Sequence, residues 1–144
     1  MEKKILLKFS SENDYTEGEA DKVEFVTEGS LYEKSGKYYL KYTEMLGGDD
    51  KASKTTMKIE NNKVTILRYG EVNTQMVLEC GKKNMNYYET PCGSLLVGVT
   101  ADTMSVNVGE SRGEIKLNYD VEINNSLTSR NNVILTYEEI GGQL

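Results

Sequence analysis

Apolar and polar residues alternate with period two along most of the chain, in short runs rich in β-branched and aromatic side chains and separated by turn residues. Residues 113 to 124 show the pattern best: Ile115, Leu117, Tyr119, Val121 and Ile123 fall on one face, while Glu114, Lys116, Asn118, Asp120 and Glu122 fall on the other. That is a long strand covered on one side only. Less regular runs occupy residues 2–9, 21–33, 37–45, 54–60, 63–69, 72–80, 84–90, 94–100, 103–108 and 131–140. The breaks between them suit hairpins, because Gly47-Gly48-Asp49-Asp50, Asn61-Asn62 and Asn124-Asn125 adopt positive φ at low cost. The single proline, Pro91, ends one run beside Gly93 and interrupts no ladder in its middle. No segment carries a sustained helical stripe, and residues 12–21 are too polar to bury one, so they read as a solvated, mobile loop. The pattern predicts an all-β chain of 144 residues forming one domain over 1–144, a single antiparallel, closed or nearly closed β-barrel. A meander of short hairpins favours closure because closure removes exposed edges, with a sandwich as the other arrangement.

Charge and composition narrow the functions. The 17 basic and 23 acidic residues leave a net charge of -6, the wrong sign for a phosphate backbone, so no nucleic-acid partner is expected. Residues 10–33 hold eight of the acids against Lys22 alone, and the rest of the chain is close to neutral. Mean hydropathy is -0.55, and no apolar run approaches the roughly 20 residues of a spanning helix, so no membrane insertion is expected. With no histidine there is no Ser-His-Asp or Cys-His arrangement, no His-containing zinc site and no near-neutral proton shuttle. Cys80 and Cys92 form no Cys-x-x-Cys motif and read as separate thiols, with neither metal nor cofactor expected. Glu12, Asp14, Glu17 and Glu19 do not fit the spacing of an EF-hand loop. The apolar stretch within Met1 to Phe9 is shorter than a signal-peptide core, which together with the few cysteines gives a reducing, cytoplasmic setting as the expectation.

From residue 36 onward the order of motifs resembles the YwiB-like proteins of bacteria, a domain of unknown function assigned to the calycin-like β-barrels. The matching pieces are Gly36-Lys-Tyr-Tyr-Leu-Lys-Tyr42, Thr56-Met-Lys-Ile59, Val64-Thr-Ile-Leu-Arg-Tyr-Gly70, Met76-Val-Leu-Glu79, Tyr88-Glu-Thr-Pro-Cys-Gly93 with Leu95, Val97 and Thr100, and Leu117-Asn-Tyr119. The Arg-x-Gly and Tyr-x-Thr-Pro-x-Gly segments at this spacing carry most of the resemblance. Leu78 stands where the family often has phenylalanine and Cys92 where an aromatic is common, changes that alter pocket volume more than fold. The family has no established activity, so the resemblance implies a calycin-like or lipocalin-like barrel and nothing of lipocalin biology; the chain lacks the Trp of the lipocalin Gly-x-Trp signature.

Arg68 is the most informative candidate. If Val64 and Ile66 face the barrel, alternation brings Arg68 inward with them, paired with Val72 across a Tyr69-Gly70-Glu71 loop; a two-residue Gly70-Glu71 turn would instead leave it outside beside Asn73. An inward guanidinium cannot shed its charge, so it needs either a ligand carboxylate or phosphate, or an internal salt bridge and hydrogen bonds to tyrosine and carbonyl oxygens. Tyr88 and Thr90 share one face of their run and Tyr119 points with the apolar set of its own, which suits a pocket wall and an ordinary core equally. Glu79 and Glu89 face solvent on this parity and lack the desolvation that tunes a catalytic acid. The residues therefore suggest a barrel that binds a small anionic or amphipathic molecule through Arg68, Tyr88, Thr90 and Tyr119. The alternative is a filled barrel serving as a structural or interaction module. An enzyme is disfavoured, with no convergent nucleophile, base or phosphate loop.

Overall fold

The computed structural model describes residues 2–16, 18, 20–45, 52–70, 73–90 and 93–140, with the backbone alone at Met45, Ala52, Tyr87, Glu89 and Thr90. Among the described residues the chain forms ten strands: β1 (Glu2–Tyr15), β2 (Asp21–Lys34), β3 (Lys37–Met45), β4 (Ala52–Glu60), β5 (Lys63–Tyr69), β6 (Thr74–Glu79), β7 (Lys83–Thr90), β8 (Gly93–Val108), β9 (Arg112–Ile123) and β10 (Ser126–Glu139). They make one antiparallel sheet in the order β6-β5-β4-β3-β2-β1-β10-β9-β8-β7. Every hairpin neighbour in sequence pairs in space except β6 with β7, and β1 pairs with β10 along Ile5–Tyr15. The two sheet edges are thus consecutive strands, tied at their shared turn by a Glu79–Lys82 bridge and a parallel Cys80–Ala101 bridge. The result is the nearly closed all-β barrel that the periodicity predicts, with one seam between β6 and β7. Among the described residues no helix is long and apolar enough to cross a membrane.

Turn chemistry follows the residue types. Asn124 and Asn125 both take positive φ, as a two-residue hairpin demands, and Asn62 does so between β4 and β5. Gly47, Gly48, Asp49, Asp50 and Pro91 lie outside the described residues. At Gly29 on β2 any Cβ would meet the Lys41 carbonyl oxygen at 2.5 Å, so only glycine lets β3 come so close there.

Two expectations about the strands are corrected. The polarity of residues 12–21 predicts a loop, yet Glu12 to Tyr15 continue β1. Opposite charges face each other across the ladders there, Glu12 against Lys22 and Asp14 against Arg130, and such pairs support a polar strand end. Residues 94–100 and 103–108 read as separate runs, yet both belong to β8. The pairing jumps from Ala101–Tyr119 to Thr103–Asn118, so the extra residue Asp102 is bulged out and the parity flips. Met104 and Val106 then return to the inner face, opposite Leu117 and Ile115.

The interior is divided along the barrel. Ile5, Leu7, Leu31, Leu40, Met57, Ile59, Val64, Leu78, Ile115, Leu117 and Leu135 are buried and fill the end where the β2–β3, β4–β5 and β6–β7 turns lie. The same inner faces turn polar toward the other end, which carries Ser11, Glu44, Thr55, Ser129 and Asn131, all buried. The expected face of β9 is inward as a set: Ile115 and Leu117 are buried, and Tyr119, Val121 and Ile123 pack partly buried against the core.

Candidate functional site

Arg68 faces inward. On β5, Val64 is buried and Ile66 packs against the core, and Arg68 follows them on that face, opposite Thr55 of β4. On β6 its partner is Thr74 rather than Val72, so the connection spans 69–73; the longer loop keeps the parity because it adds two residues. Val72 and Glu71 lie outside the described residues, and the Asn73 side chain turns back to accept from the Gly70 N–H at 3.2 Å.

The charge of Arg68 is met from within the chain. Its Nη2 donates to Oε1 of Glu44 at 3.2 Å, and the Thr55 hydroxyl donates to the same oxygen at 3.4 Å. Glu44 is 2% exposed, whereas the Arg68 side chain keeps 38% of its surface. The carboxylate is therefore the sealed member of the pair and the guanidinium the accessible one. Of the alternatives that the sequence leaves for an inward arginine, the internal salt bridge is present. Glu44 was not among the candidate residues, although alternation along Tyr38, Leu40, Tyr42 and Glu44 on β3 carries the signal.

Tyrosines surround the pair. Tyr42 is buried next to Glu44, and desolvation first, then the neighbouring carboxylate, raises its phenol well above the ordinary range, with Arg68 opposing. Tyr119 packs partly buried on β9, and burial pushes it up to about 12, again against the pull of Arg68. Tyr88, inward on β7 and opposite Leu95, is raised by burial and lowered in part by Arg68. The structure thus brings Arg68, Tyr88 and Tyr119 into one electrostatic neighbourhood. Thr90 closes β7 opposite Gly93, and its side chain lies outside the described ones, as do the Glu89 side chain and Cys92. Cys80 is an exposed free thiol, and Glu79 pairs with Lys82 at 3.5 Å at the surface.

These phenols give a pH signature. An acid whose folded pKa exceeds its unfolded value of about 10 holds its proton more tightly in the native state, so its contribution is complete below that pH and lost as pH rises above it. Stability is expected to fall more steeply in the wild type than in Tyr119→Phe between about pH 8 and about pH 11, measured as urea midpoints. Equal losses in the two proteins would show that Tyr119 titrates normally.

Among the described residues, grooves of about 280, 310, 520 and 730 Å³ open on the surface. The 730 Å³ groove runs over Leu6, Lys8, Arg112, Glu114 and Glu138, and none of these four has Arg68 or Tyr88 in its lining; Tyr119 borders the 280 Å³ one, which is walled by Glu12, Asp14, Asp102 and Asp120. Among the described residues no three Cys, Asp or Glu side chains are arranged to hold a metal ion.

A domain of unknown function, DUF1934, matches residues 7–135, nearly the whole barrel. The chain belongs to the DUF1934 family. It is similar to the uncharacterized β-barrel protein YwiB of Bacillus subtilis strain 168, with 27% identity over 122 residues that cover 85% of this chain and 84% of that one. The crystal structure of the YwiB protein from Bacillus subtilis superposes with a TM-score of 0.84 at 26% identity, covering 97% of this chain and 94% of that one. The family resemblance read from the Arg-x-Gly and Tyr-x-Thr-Pro-x-Gly segments is therefore correct, and the DUF1934 barrel extends it back to residue 7.

Proposed function

We propose that this DUF1934 barrel is a non-catalytic binding protein that takes a small anionic or amphipathic molecule at the polar end of its interior. Arg68 is the charged anchor, and Tyr88 and Tyr119 form the wall; the side chain of Thr90, expected beside them, lies outside the described ones. The reading rests on one observation: an accessible guanidinium set among tyrosines above an apolar floor, with only one of its nitrogens, Nη2, bonded among the described residues. The exposed part of the guanidinium, 38% of the side chain's surface, suits a carboxylate or phosphate, and the aliphatic floor suits an apolar tail. No nucleic acid or membrane partner enters this reading. A reducing, cytoplasmic setting is part of it, in keeping with the exposed thiol of Cys80.

The filled-barrel interaction module is favoured by a different observation, the neutralisation of Arg68 by Glu44. A thermal-shift screen with octanoate, citrate and inorganic phosphate separates the two, run on the wild type and on Glu44→Leu/Arg68→Met, which removes both charges together. A ligand at 100 times its Kd adds about 2.7 kcal/mol, or roughly 5–10 °C in Tm for a domain of this size. The expected result is such a shift for the wild type and its loss in the double variant. Absence of any shift, with no co-purifying mass in native mass spectrometry, retires the binding reading in favour of the filled barrel.

A further inference from the structure

The seam between β6 and β7 has a feature that the anchor does not explain. On β7, Asn84 lies opposite Val99 and Asn86 opposite Val97, and both valines are buried, so the two asparagines and Tyr88 share the inner face. At these two inward positions, beside buried valines of β8, β7 carries amides. The Nδ2 atoms of Asn84 and Asn86 are buried and have no hydrogen-bond partner among the described residues. Among the described residues one other buried side-chain atom is in that condition, Nε of Arg68. All three are donors, and all three belong to β5 and β7, the strands on either side of the short edge strand β6. Native proteins leave few buried polar groups unpaired, so three donors of one kind beside one seam call for a common acceptor.

We infer that Asn84 and Asn86 are binding residues, and that the molecule bound at the Arg68 site carries oxygen acceptors along its length, as a polycarboxylate or a phosphorylated acid does, rather than the bare tail of a fatty acid. This rests on the binding reading above and narrows its ligand class. Positions 84 and 86 are separated by about 7 Å along the strand, and 84 and 88 by about 13 Å, so the donors form a row rather than a point. The row runs toward the barrel end that carries Arg68, since β5 and β7 both finish there. An anionic head at Arg68 would leave a second acidic or phosphoryl group beside Asn86. A purely aliphatic chain in the same place would leave both amides as they stand, unpaired. A barrel with no ligand would gain stability from leucine at these positions, because a buried amide without a partner costs free energy that an apolar side chain does not.

The test measures Kd by calorimetry for citrate, 3-phosphoglycerate and octanoate on the wild type and on Asn84→Leu/Asn86→Leu, together with urea midpoints of the unliganded proteins. The expected result is a higher midpoint for the double variant, a loss of affinity of about tenfold or more for citrate or 3-phosphoglycerate, the scale of one hydrogen bond to a charged group, and no change beyond twofold for octanoate. Asn86→Asp is the second variant, needed if the leucines disturb the fold: it replaces a donor by a negative charge and is expected to abolish binding of both polyacids. Affinities unchanged within about twofold for every probe overturn the inference. If the wild type binds octanoate alone and loses it in Glu44→Leu/Arg68→Met, the ligand class fails while the anchor stands. If no probe binds the wild type, both fail.

Discussion

Replacing Leu117 by alanine is expected to destabilise the protein by about 2–5 kcal/mol, the range for large-to-small changes in a packed core. Leu117 has no exposed surface and sits in the middle of β9, opposite Val133 of β10 on one side and Met104 of β8 on the other, both also turned inward. Hydrogen bonds to both neighbours hold the backbone, so the walls cannot close around the missing methyl groups, and most of the cavity stays open. Lys116, one residue earlier, points outward and is exposed; its change to alanine is expected to stay within about 0.5 kcal/mol. Urea unfolding of the two variants measures both. A Leu117→Ala loss as small as the Lys116→Ala one would mean that β9 presents the opposite face to the core.

Arg68→Met is the second large effect, and its size comes from the partner it abandons. Glu44 is sealed at 2% exposure and would keep only neutral hydroxyl partners, those of Thr55 and Tyr42, so the methionine variant buries a carboxylate without a counter-charge. Breaking a fully buried pair costs about 3–5 kcal/mol; because Arg68 itself is more than one-third exposed, about 2–4 kcal/mol is expected here. The decisive comparison is with Glu44→Leu/Arg68→Met. Removing both charges together leaves nothing stranded, so the double variant is expected to regain most of the loss, and the two single effects should be far from additive. Denaturant midpoints for the two single variants and the double one measure this directly. Additive single losses would mean that the two groups do not depend on each other for neutralisation.

The alternation of Ile115 through Ile123 declares a one-sided strand without reference to the rest of the chain, because side-chain direction along a strand repeats every two residues whatever the strand pairs with. The inward parity of Arg68 is legible for the same reason, since Val64 and Ile66 precede it on the same face. So is the positive φ at Asn62, Asn124 and Asn125, a property of the residue type. Even Glu44 is written into the run Tyr38, Leu40, Tyr42, Glu44; what the run cannot say is that its counter-charge stands 24 residues later. That pairing needs the β3–β4 and β4–β5 registers, which bring Thr55 opposite both Tyr42 and Arg68.

Other features depend on distant neighbours and leave no local trace. The polar end of β1 becomes a strand because Lys22 and Arg130 arrive opposite its acids, and residues 94–108 become one strand because β9 pairs on both sides of the bulge at Asp102. The partner of Arg68 on β6 is Thr74 and not Val72, a register that only the pairing of the two strands reveals. The seam lies between β6 and β7, although Cys80-Gly81 gives that hairpin as tight a turn as its neighbours. Sequence alone determined which side chains share a face, since that follows from the geometry of one extended backbone. The tertiary structure decided which faces meet, which charge answers Arg68 and where the sheet stays open, because register and closure are set by contacts between segments that lie far apart along the chain.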